Sequence, residues 1–320
     1  MSAGAPISTL RLTLRVASAF IVDMLIVCRQ DRDFTDALIM TTLAQSNVAP
    51  LAADPELQLR HATFDAPPPE CALRAISINA IATSLGLPFE TVRRRAKRLI
   101  AEGVCETRPG GICLRHETLR SPAQRRMVDQ AYDKVRALYR RLKRAGCLEL
   151  MDLPPPGRAV CSASAPPPVR IVWRLAVDYT LRMMEHLLPN VPSLSQGFVT
   201  LAVFRTNTDG LPDGVRGGEG AAVEDFVPDS FRKPARASDV AALLGLPHET
   251  ARRQIAALVE DGRCLRVGNG VIVPAAVLAG PKVQIAWGPN FRYLARMFGE
   301  LAELGVLALW DAEQEAQNAA

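Results

Sequence analysis

Apolar residues recur along this chain at helical spacing, and only a few short runs alternate as β-strands do. A first apolar helix is predicted at about Leu12–Cys28 and a second at about Phe34–Gln45. Further along, an amphipathic helix carries apolar residues at a strict three–four spacing, which gives it one apolar stripe. The stripe consists of Val128, Ala131, Val135, Leu138, Leu142 and Ala145. The pattern predicts a mostly α fold in which strands occur only in small β-hairpin wings.

The chain contains two copies of one sequence unit. Residues 84–105 read SLGLPFETVRRRAKRLIAEGVC, and residues 243–264 read LLGLPHETARRQIAALVEDGRC. The similarity continues outside this window, since AFIVDML in the first half falls opposite DYTLRMM in the second, and Asn47 pairs with Asn207. Such a repeat indicates duplication and fusion of a unit of about 160 residues.

Two domains are predicted from the repeat, at residues 1–156 and 157–320. The boundary lies in a stretch that reads LPPPGRAVCSASAPPP at 153–168, and its two proline triplets are typical of a stiff linker. A segment near 208–236 is rich in Gly, Asp and Pro and predicts a long, flexible surface loop. The helices of the second copy are expected at about Val172–Leu188 and Leu194–Arg205, and its apolar stripe at Trp287, Asn290, Leu294, Met297, Leu301 and Leu304.

A tight turn between two short helices is predicted in each copy, followed by a hairpin. In the first copy Ile78–Leu85 is an amphipathic helix, and Gly86 supplies the positive φ that a sharp turn after a helix requires. The next helix is predicted at Phe89–Glu102 and ends at a glycine. Short strand-like runs at Val104–Thr107 and Ile112–Arg115 then flank a Pro-Gly-Gly turn.

This order of helix, glycine turn, second helix and two-stranded wing resembles the winged helix-turn-helix superfamily of bacterial transcriptional regulators. The resemblance covers about residues 75–119 and 235–278, and the segment LGLPxET(V/A)RR looks like the recognition helix of these proteins. The resemblance implies binding to double-stranded DNA. Two such units in one chain would mimic a dimer that addresses two half-sites.

A helical projection divides the predicted recognition helix into two faces. Val92, Ala96, Leu99 and Ile100 gather on the side that faces the core. The basic outer face suits entry into the major groove, where arginine reads guanine and flanking cations contact phosphates. Glu90 either accepts from a cytosine amine or only complements the helix dipole. The candidate DNA-binding residues of this helix are Glu90, Thr91, Arg93, Arg94, Arg95, Lys97 and Arg98.

The second copy has a weaker basic face. It has Ala256 and Ala257 where the first copy has Lys97 and Arg98, and it adds Glu260 on the outer side. Two interpretations stay open: the second helix reads a different half-site weakly, or it has become mainly structural. Its candidate DNA-binding residues are Thr250, Arg252 and Arg253, and the two wings add Arg108 and Arg266.

Charge is distributed unevenly between the halves. Residues 1–159 carry 23 Lys and Arg against 16 Asp and Glu, whereas residues 160–320 carry 15 against 17. The basic excess in the first half fits a phosphate backbone as partner. The stripe that begins at Val128 is expected either to pack the two copies together or to form the seam of a homodimer.

Other function classes find little support in the sequence. The longest apolar stretch, Val16–Cys28, contains Asp23 and is too short to span a bilayer, so no membrane partner is expected. Seven scattered cysteines without a C-x₂-C spacing predict a reducing, cytoplasmic location and no metal site. There is no P-loop, G-x-G-x-x-G or G-x-S-x-G motif. We therefore expect no catalytic residues and no cofactor.

Three functions fit these features of the sequence. The first is a sequence-specific transcriptional regulator, for which the operator and any small-molecule effector stay undetermined. The second is a plasmid or phage replication initiator, a class in which tandem winged helices also occur. The third is a winged-helix scaffold that binds other proteins. Steep loss of affinity with salt is expected of the two DNA binders and not of an apolar protein contact.

Overall fold

A computed structural model describes residues 5–158 and 160–319 of the chain. These residues are mostly helical, with two small antiparallel two-stranded sheets, which confirms the predicted class. The strands are β1 Cys105–Arg108, β2 Gly111–Leu114, β3 Leu265–Val267 and β4 Gly270–Ile272. The helices are α1 Ile7–Arg29, α2 Phe34–Val48, α3 Pro55–Arg60, α4 Ile78–Leu85, α5 Phe89–Ala101, α6 His116–Arg120, α7 Pro122–Arg144, α8 Val169–Leu187, α9 Leu194–Thr208, α10 Ala237–Leu244, α11 His248–Glu260, α12 Ala275–Leu278, α13 Pro281–Gln284, α14 Trp287–Glu303 and α15 Val306–Ala319.

The chain forms two compact units, and each unit is assembled from three segments. Unit 1 comprises Met1–Ile26, Arg140–Met151 and Arg182–Leu294, and unit 2 comprises Val27–Tyr139, Asp152–Leu181 and Ala295–Ala320. The units differ from the two sequence copies. Unit 1 contains α10 to β4 of the second copy together with most of α1 from the first copy. Unit 2 contains α4 to β2 of the first copy together with the first part of α8 from the second.

In unit 1, two arginines of α1 hold the long irregular segment that follows α9. Arg11 donates to the carbonyl oxygens of Gly218 and Gly220, the latter at 2.9 Å. Arg15 donates to the carbonyl oxygen of Val215 at 3.1 Å and forms an ion pair with Asp213 at 3.2 Å. The segment predicted as a long surface loop is therefore tied to α1 through backbone carbonyls. Burial lowers the pKa of both arginines.

Unit 2 repeats this arrangement with two arginines that lie 159 positions later in the sequence than Arg11 and Arg15. Arg170 of α8 donates to the carbonyl oxygens of Phe64 and Leu119, both at 2.8 Å, and burial lowers its pKa to about 10. Arg174, one helical turn further on, donates to Oε1 of Gln58 at 2.5 Å. The first part of each copy's long apolar helix thus packs against the other copy.

The apolar stripe of α7 is buried inside the chain. In unit 2 this helix lies beside α15, where Nε1 of Trp310 donates to the hydroxyl of Tyr132 at 2.7 Å. The ring of Tyr139 also packs against Trp310 and against Phe298 of α14, with centroids 5.6 and 5.9 Å apart. These contacts pack tyrosines of α7, a helix of the first copy, against α14 and α15 of the second copy. The buried stripe residues of α7 are Val128, Ala131, Val135, Leu138 and Leu142.

Candidate nucleic-acid interface

The turn between α4 and α5 is set by local hydrogen bonds. The Oγ of Ser77 accepts from the amide of Ala80 at 3.1 Å and caps the start of α4. Gly86 ends the helix with a φ of +59°, a left-handed conformation that glycine adopts without a Cβ penalty. The next amide, that of Leu87, donates back to the carbonyl of Ala82 at 3.0 Å. This geometry sends the chain directly into α5.

The hairpin β1–β2 packs against the residues that precede α4. Ile76 and Ile112 exchange two backbone hydrogen bonds of 2.9 and 3.1 Å. They form an isolated antiparallel β-bridge beside the hairpin. Gly111 has a φ of +146°, and a Cβ there would lie 2.0 Å from the carbonyl oxygen of Ile76. The second copy repeats the bridge between Ala235 and Val271. The wing of each copy is therefore fixed to its own helix pair.

A buried asparagine joins the preceding helix to this hairpin in both copies. Asn47 of α2 donates to the carbonyl of Arg74 at 2.6 Å and accepts from the amide of Leu114 at 2.8 Å. Asn207 of α9 makes the equivalent bonds to Lys233 and Val273, both at 2.8 Å. Because the side-chain amide satisfies a donor and an acceptor of the backbone at once, it fixes the position of the wing on the helices. The sequence pairs the two asparagines without revealing this role.

The outer face of α5 presents two cations that are not engaged with acidic groups. Val92, Ala96 and Leu99 are fully buried, as the projection predicts, whereas Ile100 is only half-buried. Arg94 and Lys97 on the opposite side are exposed, and neither forms an ion pair with any residue that the structure describes. These two side chains leave a basic surface directly after the turn.

Three further candidate residues lie near the start of α5, namely Glu90, Thr91 and Arg93. Arg93 lies against Glu90 at 2.6 Å, and this hydrogen bond lowers the pKa of the carboxyl group and raises that of the guanidinium. Thr91 is half-buried. Glu90 therefore neutralises a neighbouring cation on the same face.

Arg95 and Arg98 belong to an ion-pair cluster with the start of α2. Arg95 lies 2.5 Å from a carboxylate oxygen of Asp33 and 2.7 Å from one of Asp36, whose side chain is only 3% exposed. Arg98 also contacts the carboxylate of Asp36, and Glu102 links it to Arg32. Asp33 additionally caps α2 by accepting from two backbone amides. Two of the five cations of α5 are therefore bound to buried or capping carboxylates.

The second copy lacks this cluster. Its positions equivalent to Asp36, Arg95 and Arg98 carry Gln196, Gln254 and Ala257, none of which is charged. On α11, Arg252 lies against Glu249 at 2.8 Å, as Arg93 lies against Glu90 in the first copy. The other candidate residues of α11 differ in exposure, because Thr250 is half-buried whereas Arg253 is exposed without an ion pair to any described residue.

The two wings also differ. Arg108 of β1 is bound to Glu106 at 2.6 Å and to Glu70 at 3.1 Å, and its side chain is 21% exposed. Arg266 of β3 is exposed and forms no ion pair among the residues described. The other two residues of β3 are apolar and exposed, in contrast to the charged side chains of β1. They are Leu265, 52% exposed, and Val267, 38% exposed.

Sequence analysis missed the carboxylates that engage the candidate arginines. Asp33 and Asp36 precede Arg95 by 62 and 59 residues, and no local pattern connects them. The repeat itself holds a signal, since both acids of α2 and both arginines of α5 are replaced together in the second copy. Such joint replacement is what an interaction among the four residues predicts.

The cysteines of the first wing are packed rather than paired. Cys105 and Cys113 are buried and free, and burial raises the pKa of Cys105 to about 11. Among the described residues, no three His, Cys, Asp or Glu side chains form a group that would hold a metal. None of the described helices is both long enough and apolar enough to cross a membrane.

Comparison with known proteins gives this chain no relative: it matches no protein-family model, no curated protein and no solved structure. A function is therefore inferred from the chemistry of the chain's own side chains.

Proposed function

We propose that this protein is a sequence-specific binder of double-stranded DNA that regulates transcription, with α4 to β2 and α10 to β4 acting as tandem winged helix-turn-helix modules. The observation that carries the proposal is the exposed pair Arg94 and Lys97. They stand on the outward face of a helix that follows a glycine turn and precedes a two-stranded wing. A helix so placed is free to enter a major groove.

Each outward group of α5 has a distinct task in this proposal. Arg94 reads a base edge, for which guanine O6 and N7 offer a bidentate partner. Lys97, a point charge on a flexible stem, contacts a phosphate. Thr91 and the first amides of α5 bind a second phosphate at the helix N-terminus. Arg93 joins them when phosphate competes with Glu90 for its guanidinium.

Arg95 and Arg98 position α5 instead of reading DNA. Their carboxylate partners lie on α2, so the ion pairs hold α5 against the helix that also carries Asn47. Arg98 keeps a side chain that is 51% exposed, and its outer edge remains accessible to a phosphate. The contacting surface of the first module is therefore narrower than five cations imply.

The second module contributes a weaker contact through Arg253 and Arg266. Its exposed Leu265 and Val267 favour a second candidate function, in which this wing binds another protein while the first module holds DNA. A scaffold that binds proteins with both modules would leave Arg94 and Lys97 without a role. A replication initiator would use the same DNA chemistry at a different locus.

Selection of genomic fragments by the purified full-length chain, followed by sequencing, tests the proposal. We expect fragments that share a short motif, and we expect their retention to fall steeply as salt rises. Enrichment in promoter regions supports the regulator, whereas enrichment at one replication origin supports the initiator. Retention of random DNA at the level of the motif, or of no DNA at all, would contradict the proposal.

A further inference from the structure

A cavity of about 640 Å³ lies within unit 1, a volume typical of natural ligand pockets, which span roughly 300–1,000 Å³. Residues of α9 form one wall, and the segment from β4 to α13 forms another. The lining is mostly apolar and includes Leu14, Phe198, Leu201, Phe204 and Val277. Such a space favours the apolar part of a small molecule, because burial there removes apolar surface from water.

The lining of this cavity differs from the equivalent positions of the other sequence copy. Leu14 and Ser18 line it, and the residues 159 positions later are Trp173 and Val177 in unit 2. Both are buried there, with Trp173 5% and Val177 1% exposed. Unit 2 therefore buries larger side chains at the positions where Leu14 and Ser18 line the cavity of unit 1.

The loop at the edge of the cavity is held differently from its counterpart in unit 2. In unit 2 the side chain of Gln30 donates to the carbonyl oxygen of Ala123 at 2.8 Å, which ties the loop after α1 to the start of α7. The counterpart of Ala123 in unit 1 is Lys282, and it lines the cavity together with Asn190. Asn190 accepts through its carbonyl from Arg263 at 3.2 Å. In unit 1, Arg263 therefore holds this loop at the edge of the cavity.

The charged side chains at this edge favour an anion. Arg263 is half-buried and Lys282 is exposed, and neither forms an ion pair with the part of the chain that is described. Asp261 is the acidic residue in the lining, and it is exposed. Two cations against one carboxylate give the entrance a net positive charge. Because Arg263 is less exposed to water than Lys282, it offers an anion the stronger charge-assisted hydrogen bond.

We propose that the cavity binds an apolar monocarboxylate, with the hydrocarbon body among Phe198, Leu201 and Phe204 and the carboxylate at Arg263 and Lys282. The ligand enters past Asn190. Its carboxylate gains charge-assisted hydrogen bonds at the entrance, while its body replaces water against apolar walls.

Calorimetric titration of the full-length chain with decanoate, and separately with 1-decanol, tests this site. We expect saturable binding of both probes, with decanoate the tighter. The double variant Arg263→Gln/Lys282→Gln is expected to weaken decanoate by about tenfold or more and to leave 1-decanol unchanged. Arg60→Gln/Arg292→Gln, an equal loss of two charges at exposed positions outside the cavity lining, serves as the matched control and is expected to change neither affinity.

Filling the cavity with the residues of the other copy gives a second test. Leu14→Trp/Ser18→Val is expected to abolish the binding of both probes. A measurement on the unaltered chain stands beside it, since ¹³C-methyl labelling of methionine should show decanoate shifting the signal of Met184, which lines the cavity, and not that of Met127. No saturable binding, undiminished binding in a folded Leu14→Trp/Ser18→Val variant, or an unmoved Met184 signal at saturation would overturn the proposal.

Discussion

The guanidinium of Arg95 donates to the carboxylate of Asp36 at 2.7 Å, and this contact joins α5 to α2. Asp36 is almost fully buried, and Arg98 also contacts it. In the second copy the equivalent residues are Gln254 and Gln196, so the charged pair is present in one module and absent from the other. A cation that sequence analysis assigns to DNA thus forms an ion pair with a buried acid.

We expect Arg95→Gln to lower the free energy of unfolding by about 1–2 kcal/mol, because it removes one of the two arginines that solvate Asp36. The double variant Asp36→Gln/Arg95→Gln reproduces the combination found in the second copy. It is expected to be more stable than the sum of the two single changes predicts. Urea unfolding of the four proteins measures this coupling, and strictly additive effects would show that the ion pair contributes nothing.

Asn47→Leu is expected to cost about 2 kcal/mol, because it leaves the carbonyl of Arg74 and the amide of Leu114 without partners in a buried site. Asn207→Leu is expected to cost a similar amount, since its bonds have nearly the same lengths. Asn79→Leu on the exposed side of α4 is the control, expected within about 0.5 kcal/mol of the parent. Chemical unfolding measures all three, and equal stability of Asn47→Leu and Asn79→Leu would contradict the role assigned to the buried amide.

Acid should release part of the stability that Asp213 provides. Hydrogen bonding to Arg141, with the charge of Arg15, holds the pKa of this carboxyl group below its ordinary value. A depressed folded-state pKa contributes stability that is complete above the unfolded pKa, near 3.9, and is lost as pH falls through the folded value. The stability difference between the parent chain and Asp213→Asn is therefore expected to be larger at pH 7 than at about pH 3. A difference that stays constant over this range would contradict the linkage.

Local features of the modules were predictable from the sequence. The helix predicted at Phe89–Glu102 is observed at Phe89–Ala101, and Gly86 adopts the positive φ expected of it. The predicted wing strands fall within one residue of β1 and β2. These elements depend on neighbours in the sequence, namely capping groups, turn glycines and the spacing of apolar residues. Each of those leaves a readable pattern.

Partners across the chain were not predictable in this way. Periodicity shows that α1 has an apolar face, but it does not show that Arg11 and Arg15 of that helix bind the segment after α9. The predicted boundary at 156/157 follows the duplication, whereas the compact units exchange helical segments between copies. The last helix, α15, was also missed, although it buries Trp310 completely. These outcomes depend on which faces meet, and a single sequence does not state that.

The recognition helices of the two modules differ less in cations without an ion pair than in total cations. Among the described residues, α5 has Arg94 and Lys97 in this state, and α11 has Arg253. Arg253→Ala removes the one unpaired cation of α11 among the described residues. We expect it to weaken binding less than changes on α5 and to alter one side of a footprint on the selected motif. A loss as large as that of the α5 variants would show that both modules read DNA equally.

The central claim is tested most directly by titrating the selected DNA motif with Arg94→Ala/Lys97→Ala at several salt concentrations. Arg98 is left in place, because its removal would also disturb Asp36. Arg60→Ala/Arg292→Ala, which removes two exposed arginines outside both modules, is the matched control.

If Arg94 reads a base and Lys97 a phosphate, specific binding is lost at unchanged melting temperature. The residual salt slope of log affinity falls by roughly one unit for each phosphate contact removed, while the control keeps the parent affinity and slope. Parent affinity and parent salt slope in the folded Arg94→Ala/Lys97→Ala variant would contradict the assignment of α5 as the DNA-reading helix.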